Sequence, residues 1–170
     1  MNDKVLITGA TGLLGTDLLA SLKRDYRTMG VSSSHFDIRS YDETVGFMNN
    51  MRPDIVLHAA AWADVDGCEK NRELAFLVNA EGTKNMARVC KDIGARLIYY
   101  STDYVFDGTK GSAYTEDDTP NPINIYGRSK YEGEEYVLDI LEDAAIVRIS
   151  WLYGTAKSCF VTGVITAALL

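Results

Sequence analysis

The stretch KVLITGATGLLG, running from Lys4 to Gly15, decides the fold. Lys4 to Thr8 reads as a strand, and Gly9, Ala10, Thr11, Gly12, Leu13, Leu14 and Gly15 follow it directly and open a helix. Gly9 and Gly12 let the backbone turn tightly and approach a pyrophosphate, while Gly15 lets the helix pack closely on a sheet. The helix N-terminus adds unpaired N–H groups and a partial positive charge. This strand, turn and helix context is what a dinucleotide fingerprint requires, and it raises the segment above a lone glycine pattern. Gly9, Thr11, Gly12, Leu13, Leu14 and Gly15 are therefore candidate cofactor-binding residues. Ligand-free glycine turns of this form also exist.

Outward from this segment, short apolar runs alternate with longer stretches of helical period, the pattern of repeated βαβ units. Strands are expected at Lys4 to Thr8, Tyr26 to Val31, Ile55 to Ala59, Arg96 to Ser101 and Ala145 to Ile149. Leu13, Leu14, Leu18, Leu19 and Leu22 form one helical face, and Val45, Met48 and Met51 suggest another. Leu74, Leu77 and Val78 with Met86, Val89, Cys90 and Ile93 give a long third helix closed by Gly94. From Asp107 to Asn124 the pattern lapses for longer than most loops in compact domains, as in lids, binding loops or disordered segments. A last helix is expected over Tyr126 to Leu141. The fold class is α/β: a Rossmann-type doubly wound parallel sheet with helices on both faces, residues 1–170 forming one NAD(P)-binding domain.

The chain has 170 residues, 46% of them hydrophobic, enough for one buried core. Its formal net charge of -7 leaves no basic field, so neither nucleic acid nor an anionic membrane is an expected partner. No signal peptide or membrane span is visible. Cys68, Cys90 and Cys159 are odd in number and widely spaced, which fits a reduced cytoplasmic protein better than a disulfide framework. Cys90 reads as buried packing. The acidic run Glu116, Asp117 and Asp118 reads as a solvated loop, and no metal site is expected.

The GxxGxxG spacing resembles the short-chain dehydrogenase/reductase superfamily, particularly its extended branch. Where an acidic residue would hold an NAD ribose at the end of the second strand, Ser32, Ser33, Ser34 and His35 stand instead. Hydroxyl donors without a repelling carboxylate favour NADPH, with NADH tolerated. Arg27 and Arg39 either assist or are surface residues. Asp37-Ile38 resembles the pair that contacts adenine in this superfamily, although Asp37 reads equally as a helix cap.

Tyr126 and Lys130 form a YxxxK motif whose spacing puts both side chains on one helix face. Reducing a ketone requires a proton for the developing alkoxide, and a phenol of pKa about 10 is a poor acid at neutral pH. Lowering it by ~2 to 3 units takes roughly 3 to 4 kcal/mol. An ammonium about 4 Å away at an effective dielectric of ~20 supplies that amount. Thr102 ends the fourth strand, at the edge where open α/β sheets bind ligands, and its hydroxyl can hydrogen-bond a substrate carbonyl or serve as a cap. Ser101 reads as strand-end support.

These residues make the resemblance narrower. STDYVFDG, Ser101 to Gly108, is similar to the signature of the dTDP-4-dehydrorhamnose reductase family, and so in order are His58 to Trp62, Val65, Asp66, Glu69, Val78 to Thr83, Tyr126 to Lys130, and Ser150 to Gly154. The resemblance implies hydride transfer from NAD(P)H to the 4-keto carbon of dTDP-4-dehydro-L-rhamnose, giving dTDP-L-rhamnose for surface polysaccharide. Thr102, Tyr126 and Lys130 would be catalytic, Lys130 also holding the nicotinamide ribose together with Tyr126. Ala59, Ala60 and Ala61 would line the cofactor, and Thr102, Asp103, Tyr104 and Trp151 would meet the sugar. The alanines also suit close packing, Tyr104 and Trp151 also suit half-buried aromatics, and His58 reads as strand-end packing rather than a base.

Members of that family are longer. The sequence stops at Leu170 inside an apolar run, so the expectation is a truncated form that lacks the substrate-covering lobe, binds dinucleotide and turns over slowly. Its exposed apolar edge favours self-association, a homodimer being one such form. Two alternatives stand beside the reductase. One is a non-catalytic dinucleotide-binding regulatory protein, like the β-subunit of methionine adenosyltransferase. The other is a different nucleotide-sugar reductase or epimerase.

Overall fold

A computed structural model describes residues 3–154, 157 and 159–169. Five parallel strands, β1 (Lys4–Thr8), β2 (Arg27–Val31), β3 (Ile55–His58), β4 (Arg96–Thr102) and β5 (Ala144–Ile149), form one sheet in the order β2-β1-β3-β4-β5. After β2 the chain crosses back over β1, so the winding reverses between β1 and β3. Thr8 is in register with both Val31 and His58, His58 with Tyr99, and Thr102 with Ile149. The carboxyl ends therefore share one edge, where a crevice opens at the switch point.

The strands match expectation to within a residue. Tyr26 falls outside β2 because its N–H still bonds Leu22 O at the tail of the preceding helix. β4 runs on to Thr102 because β5 pairs with it there.

Helices cover both faces. α1 (Leu13–Leu22) packs Leu18, Leu19 and Leu22 on Val5, Ile7 and Leu57. On the other face α2 (Tyr41–Met51) brings Met48 to a core shared with Leu6, Val56, Leu97 and Tyr99. Ser40 caps α2 by accepting from Glu43 N–H. Two short helices, α3 (Val65–Lys70) and α4 (Arg72–Phe76), precede α5 (Gly82–Ile93), and α3 was not expected. The long third helix exists as α4 to α5, closed by Gly94 at φ 72°, with one π-helical turn, Leu77–Glu81, inserted. That turn carries an extra residue and rotates the buried face. Leu77, expected in the core, is exposed, while Asn79 and Ala80 are buried. Cys90 is buried as expected, its thiol pushed up to about 12 by desolvation.

α6 (Ile125–Ile140) is capped by Asn124, which accepts from Gly127 N–H. α7 (Phe160–Ala168) follows β5. The segment 107–124 is ordered by its own contacts. The Asp107 carboxylate accepts from Thr109 N–H and Oγ1, Tyr114 Oη and Asn121 Nδ2, and Phe106 stacks on Tyr114 at 4.2 Å. Within it Asp118 pairs with Lys110.

Candidate active site

At the carboxyl edge, β1 delivers the glycine turn. Gly9 has φ 65° and lies so close to β3 that a Cβ would come within 2.7 Å of Ala59 O and Ala60 N. Gly15 has the same constraint from below, because its Cβ would meet Gly9 O at 2.3 Å. The turn is pinned by Ala10 N–H to Val31 O and Gly12 N–H to Gly9 O. Among the described residues no side chain caps α1 at Gly12, which leaves the start of this helix open to an anion. Lys157, for which the sequence offered no signal, donates to Thr11 O and sets a cation against the turn.

A cavity of about 380 Å³ opens above the switch point. Of the expected cofactor residues, Gly9, Thr11, Gly12, Ser32, Asp37, Ile38, Ala60 and Ala61 line it. Ala59, Leu13, Leu14 and Gly15 do not line this cavity, and of these Ala59 and Gly15 lie against Gly9. Ser33 and Arg39 line it too, whereas Arg27 does not. Asp37 and Arg39 form a bidentate pair, Nη2 to Oδ2 at 2.6 Å, which holds the Asp37 carboxyl below its usual range. Glycines that admit no side chain, an uncapped helix start and a cavity of this size fit a dinucleotide's adenosine and phosphates.

The YxxxK helix, α6, starts beside the carboxyl end of β4. Its N-terminus is held by Glu69, whose carboxylate accepts Ile125 N–H at 2.7 Å. Gly127 lets α6 touch the segment after β4, since a Cβ there would lie 2.2 Å from Tyr104 O. That contact brings Tyr104 edge-on to Tyr126, with ring centroids 5.8 Å apart. Tyr126 is half-buried. Desolvation raises its pKa, and the nearby Thr102 hydroxyl opposes the rise. Tyr104 links the two residues, its N–H bonding Thr102 Oγ1 and its ring meeting Tyr126. Thr102 Oγ1 donates to Asp103 Oδ1 and accepts from Tyr104 N–H, the geometry of the capping reading.

Lys130 departs from the expected picture. It is buried, donates from Nζ to Tyr100 O at 2.7 Å and lies 4.0 Å from the Tyr99 ring centre. Desolvation lowers its pKa to about 7, and Glu134 works the other way. Glu134 is itself buried and held by Arg148.

Asp103 ties the ends of β4 and β5 together by accepting from Ser150 Oγ. Trp151 is 70% exposed, with φ 49°, and among the described residues its aromatic contact is with Phe160, edge-on. Ser101 Oγ is buried without a hydrogen-bond partner among the described residues, so its support of the strand end is by volume alone. Asn79 was missed as a functional residue. Its side chain accepts from Trp62 N–H and donates to Trp62 O and Ser129 Oγ, joining the β3 exit to α6. An Asn inside an apolar helical stripe was the available signal.

Comparison with known proteins agrees with this geometry. Residues 3–169 match the family described as the RmlD substrate binding domain. A dTDP-4-dehydrorhamnose reductase of Mycobacterium tuberculosis is 43% identical over 163 residues, covering 92% of this chain and 53% of that protein. Methionine adenosyltransferase 2 subunit beta of Xenopus laevis is 39% identical over 162 residues, covering 91% of this chain and 48% of that protein. The crystal structure of dTDP-4-dehydrorhamnose reductase from Bacillus anthracis in complex with NADP superposes with a TM-score of 0.96 at 40% identity, over 99% of this chain and 61% of the other. The chain thus spans about half the length of the curated relatives it matches. With a matching fold and with the glycine turn and YxxxK helix in the expected order, the chain belongs to the dTDP-4-dehydrorhamnose reductase family.

Proposed function

We propose that this chain supplies the dinucleotide-binding and catalytic part of a reductase that converts the 4-keto group of dTDP-4-dehydro-L-rhamnose to the alcohol of dTDP-L-rhamnose, in the cytoplasm, using NADPH and tolerating NADH. The whole of residues 1–170 is read as one NAD(P)-binding domain, with the sugar nucleotide covered by residues beyond it. The observation that carries the reading is the placement of Thr102 and Tyr126 around Tyr104 at the carboxyl edge of the sheet that also carries the glycine turn, with Lys130 buried on the same helix as Tyr126.

When bound, the reduced dinucleotide supplies a hydride to the keto carbon. The chain's own groups handle the oxygen. Thr102 Oγ1 donates to the carbonyl and steadies the charge that builds there. Tyr126 Oη passes its proton to the resulting alkoxide, so one hydride and one proton complete the alcohol and a phenolate remains. Lys130 in its ammonium form stabilises that phenolate and holds the nicotinamide ribose. Tyr104 and Trp151, exposed at the same edge, offer faces to the sugar, with Asp103 setting the geometry between them. Glycine-turn N–H groups take the pyrophosphate, Asp37 and Ile38 the adenine, and Ser32 the ribose 2′ position. The net charge of -7 supports a small-molecule partner over nucleic acid, and among the described residues no helix is long and apolar enough to cross a membrane. A homodimer is the expected assembly.

A protein that serves as a regulatory subunit is favoured by one observation, the match to a methionine adenosyltransferase subunit. Sugar-dependent NADPH oxidation by the full-length protein separates the two. Tyr126→Phe is expected to cut turnover by about 10² to 10⁴ and to weaken dinucleotide binding by about tenfold at most, as loss of one ribose hydrogen bond does. Unchanged turnover in that variant removes the role given to Tyr126, and no turnover in the wild type favours the regulatory reading.

A further inference from the structure

His58 ends β3 with no solvent exposure and has a partner on each ring nitrogen. Thr8 Oγ1 lies 2.7 Å from Nδ1 and Thr83 Oγ1 lies 3.2 Å from Nε2. The directions of these bonds follow from counting protons. Thr83 has one hydroxyl hydrogen, committed to Asn79 O at 2.7 Å. It can only accept from the imidazole, so Nε2 carries the hydrogen. Nδ1 of a neutral ring is then an acceptor, and Thr8 Oγ1 must donate to it. The lone pairs of Thr8 receive Ala60 N–H at 3.2 Å. The result is a one-way chain: Ala60 N–H to Thr8, Thr8 to His58, His58 to Thr83, and Thr83 to the Asn79 carbonyl.

Both ends of this chain reach working parts of the protein. Thr8 and Ala60 line the cavity at the switch point. Asn79 sits in the π-helical turn, where its side chain holds Ser129 of α6, and its carbonyl also receives Tyr99 Oη, which contacts Lys130 O as well. A π-helical turn interrupts ordinary helical bonding and is common at functional sites. Here it turns a carbonyl and a side chain of one residue toward two different elements.

We propose that His58 is a positioning residue, a neutral Nε2-protonated imidazole that holds the Thr8 and Ala60 wall of the dinucleotide cavity in register with the π-helical turn and, through Asn79, with the helix that bears Tyr126 and Lys130. It transfers no proton. The proposal rests on the dinucleotide-binding reading above. It assigns to a residue that looks like packing a demand for one tautomer, which neither Phe nor an Nδ1-protonated ring meets.

Two measurements test it. In the ¹⁵N-histidine-labelled chain only His35 and His58 give signals, and His35→Gln assigns them. Long-range ¹H–¹⁵N spectra are expected to show His58 as the neutral Nε2–H tautomer and to keep it so as pH falls from 8 to about 5, well below the ordinary histidine value of about 6.5. An Nδ1–H ring, or titration near 6.5 in the folded chain, overturns the proposal without using any variant at the site. The second measurement is a double-mutant cycle on NADPH affinity with Thr8→Val and Thr83→Val. Each alone is expected to weaken binding about tenfold and the pair little more than either, because both break the same chain. In the His58→Phe background neither valine adds a further loss. Additive losses overturn the chain while leaving the dinucleotide site standing, whereas a wild-type protein that binds no NADPH overturns both readings.

Discussion

At the scale of single residues, several side chains have roles set by their neighbours. Gly127 lies between Tyr126 and the Tyr104 carbonyl, and any Cβ there collides with backbone. Gly127→Ala is expected to destabilise the chain by about 1 to 3 kcal/mol and to push Tyr104 away from Tyr126, which urea unfolding and near-UV dichroism check. Lys130 is the reverse case, a functional group that the fold carries at a cost. Its folded value near 7 lies below the unfolded value of 10.5, so the cost is full below pH 7 and fades as pH rises from 7 to 10.5. Lys130→Met is expected to raise the urea midpoint most at pH 7 or below, and less at pH 9.5, while abolishing turnover. Stability lost at both pH values would show that the bond to Tyr100 O outweighs desolvation.

His58 gives a second pH signature. Burial holds its folded value at about 3, against 6.5 unfolded, so below pH 6.5 the unfolded chain binds a proton that the folded chain refuses. The stabilisation from its neutral form is present above pH 6.5 and is lost as pH falls toward 3, at about 1.4 kcal/mol for each pH unit. His58→Gln is expected to flatten this part of the unfolding profile between pH 6.5 and 4.5. Equal slopes for wild type and variant would refute it. Arg39 is legible in the sequence only as a nearby cation. The structure puts it on the cavity wall but already paired with Asp37. Arg39→Ala is expected to weaken NADPH relative to NADH by about tenfold, as loss of one charge-assisted bond does, and paired titrations with the two dinucleotides measure it.

At the scale of elements, the strands were readable because a parallel sheet covered on both faces demands apolar runs, and those runs stand out between polar turns. α1 was readable from its apolar spacing and the glycine turn that opens it, and α6 from the YxxxK spacing near its start. α3 was not, because six residues give too little period to detect. The π-helical turn was invisible for another reason. Its extra residue is worth inserting only because Asn79 gains partners on Trp62 and Ser129, which lie 17 and 50 positions away. The long segment after Asp107 shows the same limit. Its composition suggested lid, binding loop or disorder, yet four donors converge on one carboxylate, which is held far below its normal range. Asp107→Ala is expected to speed amide exchange and proteolysis across residues 108–121 without changing exchange in the sheet, and protection that persists would show that aromatic stacking alone orders the segment.

At the scale of the whole molecule, the two faces of the sheet are covered unequally. α2, α5 and α6 seal one face, whereas among the described residues α1 supplies the helical residues packed on the other cluster. α7 has no buried residue among those described, and Phe160, Val164, Ile165 and Leu169 are all exposed. Contiguous apolar surface of this kind favours association. The 170-residue chain is expected to self-associate with rising concentration in light-scattering chromatography, and Val164→Asn with Ile165→Asn to reduce that tendency. A concentration-independent monomer would show that the exposed helix is inert.

The order of strands and helices, the glycine turn and the YxxxK motif were determined by the sequence itself, because each depends on local spacing and backbone freedom within a few residues. Tertiary structure alone decided that Tyr104 meets Tyr126, that Lys130 is buried against Tyr99 and Tyr100 instead of standing free, and that His58 joins Thr8 to Thr83. Those contacts link residues between 22 and 50 positions apart, and desolvation, which moves both the Lys130 and His58 protons, acts only once the surrounding elements have packed.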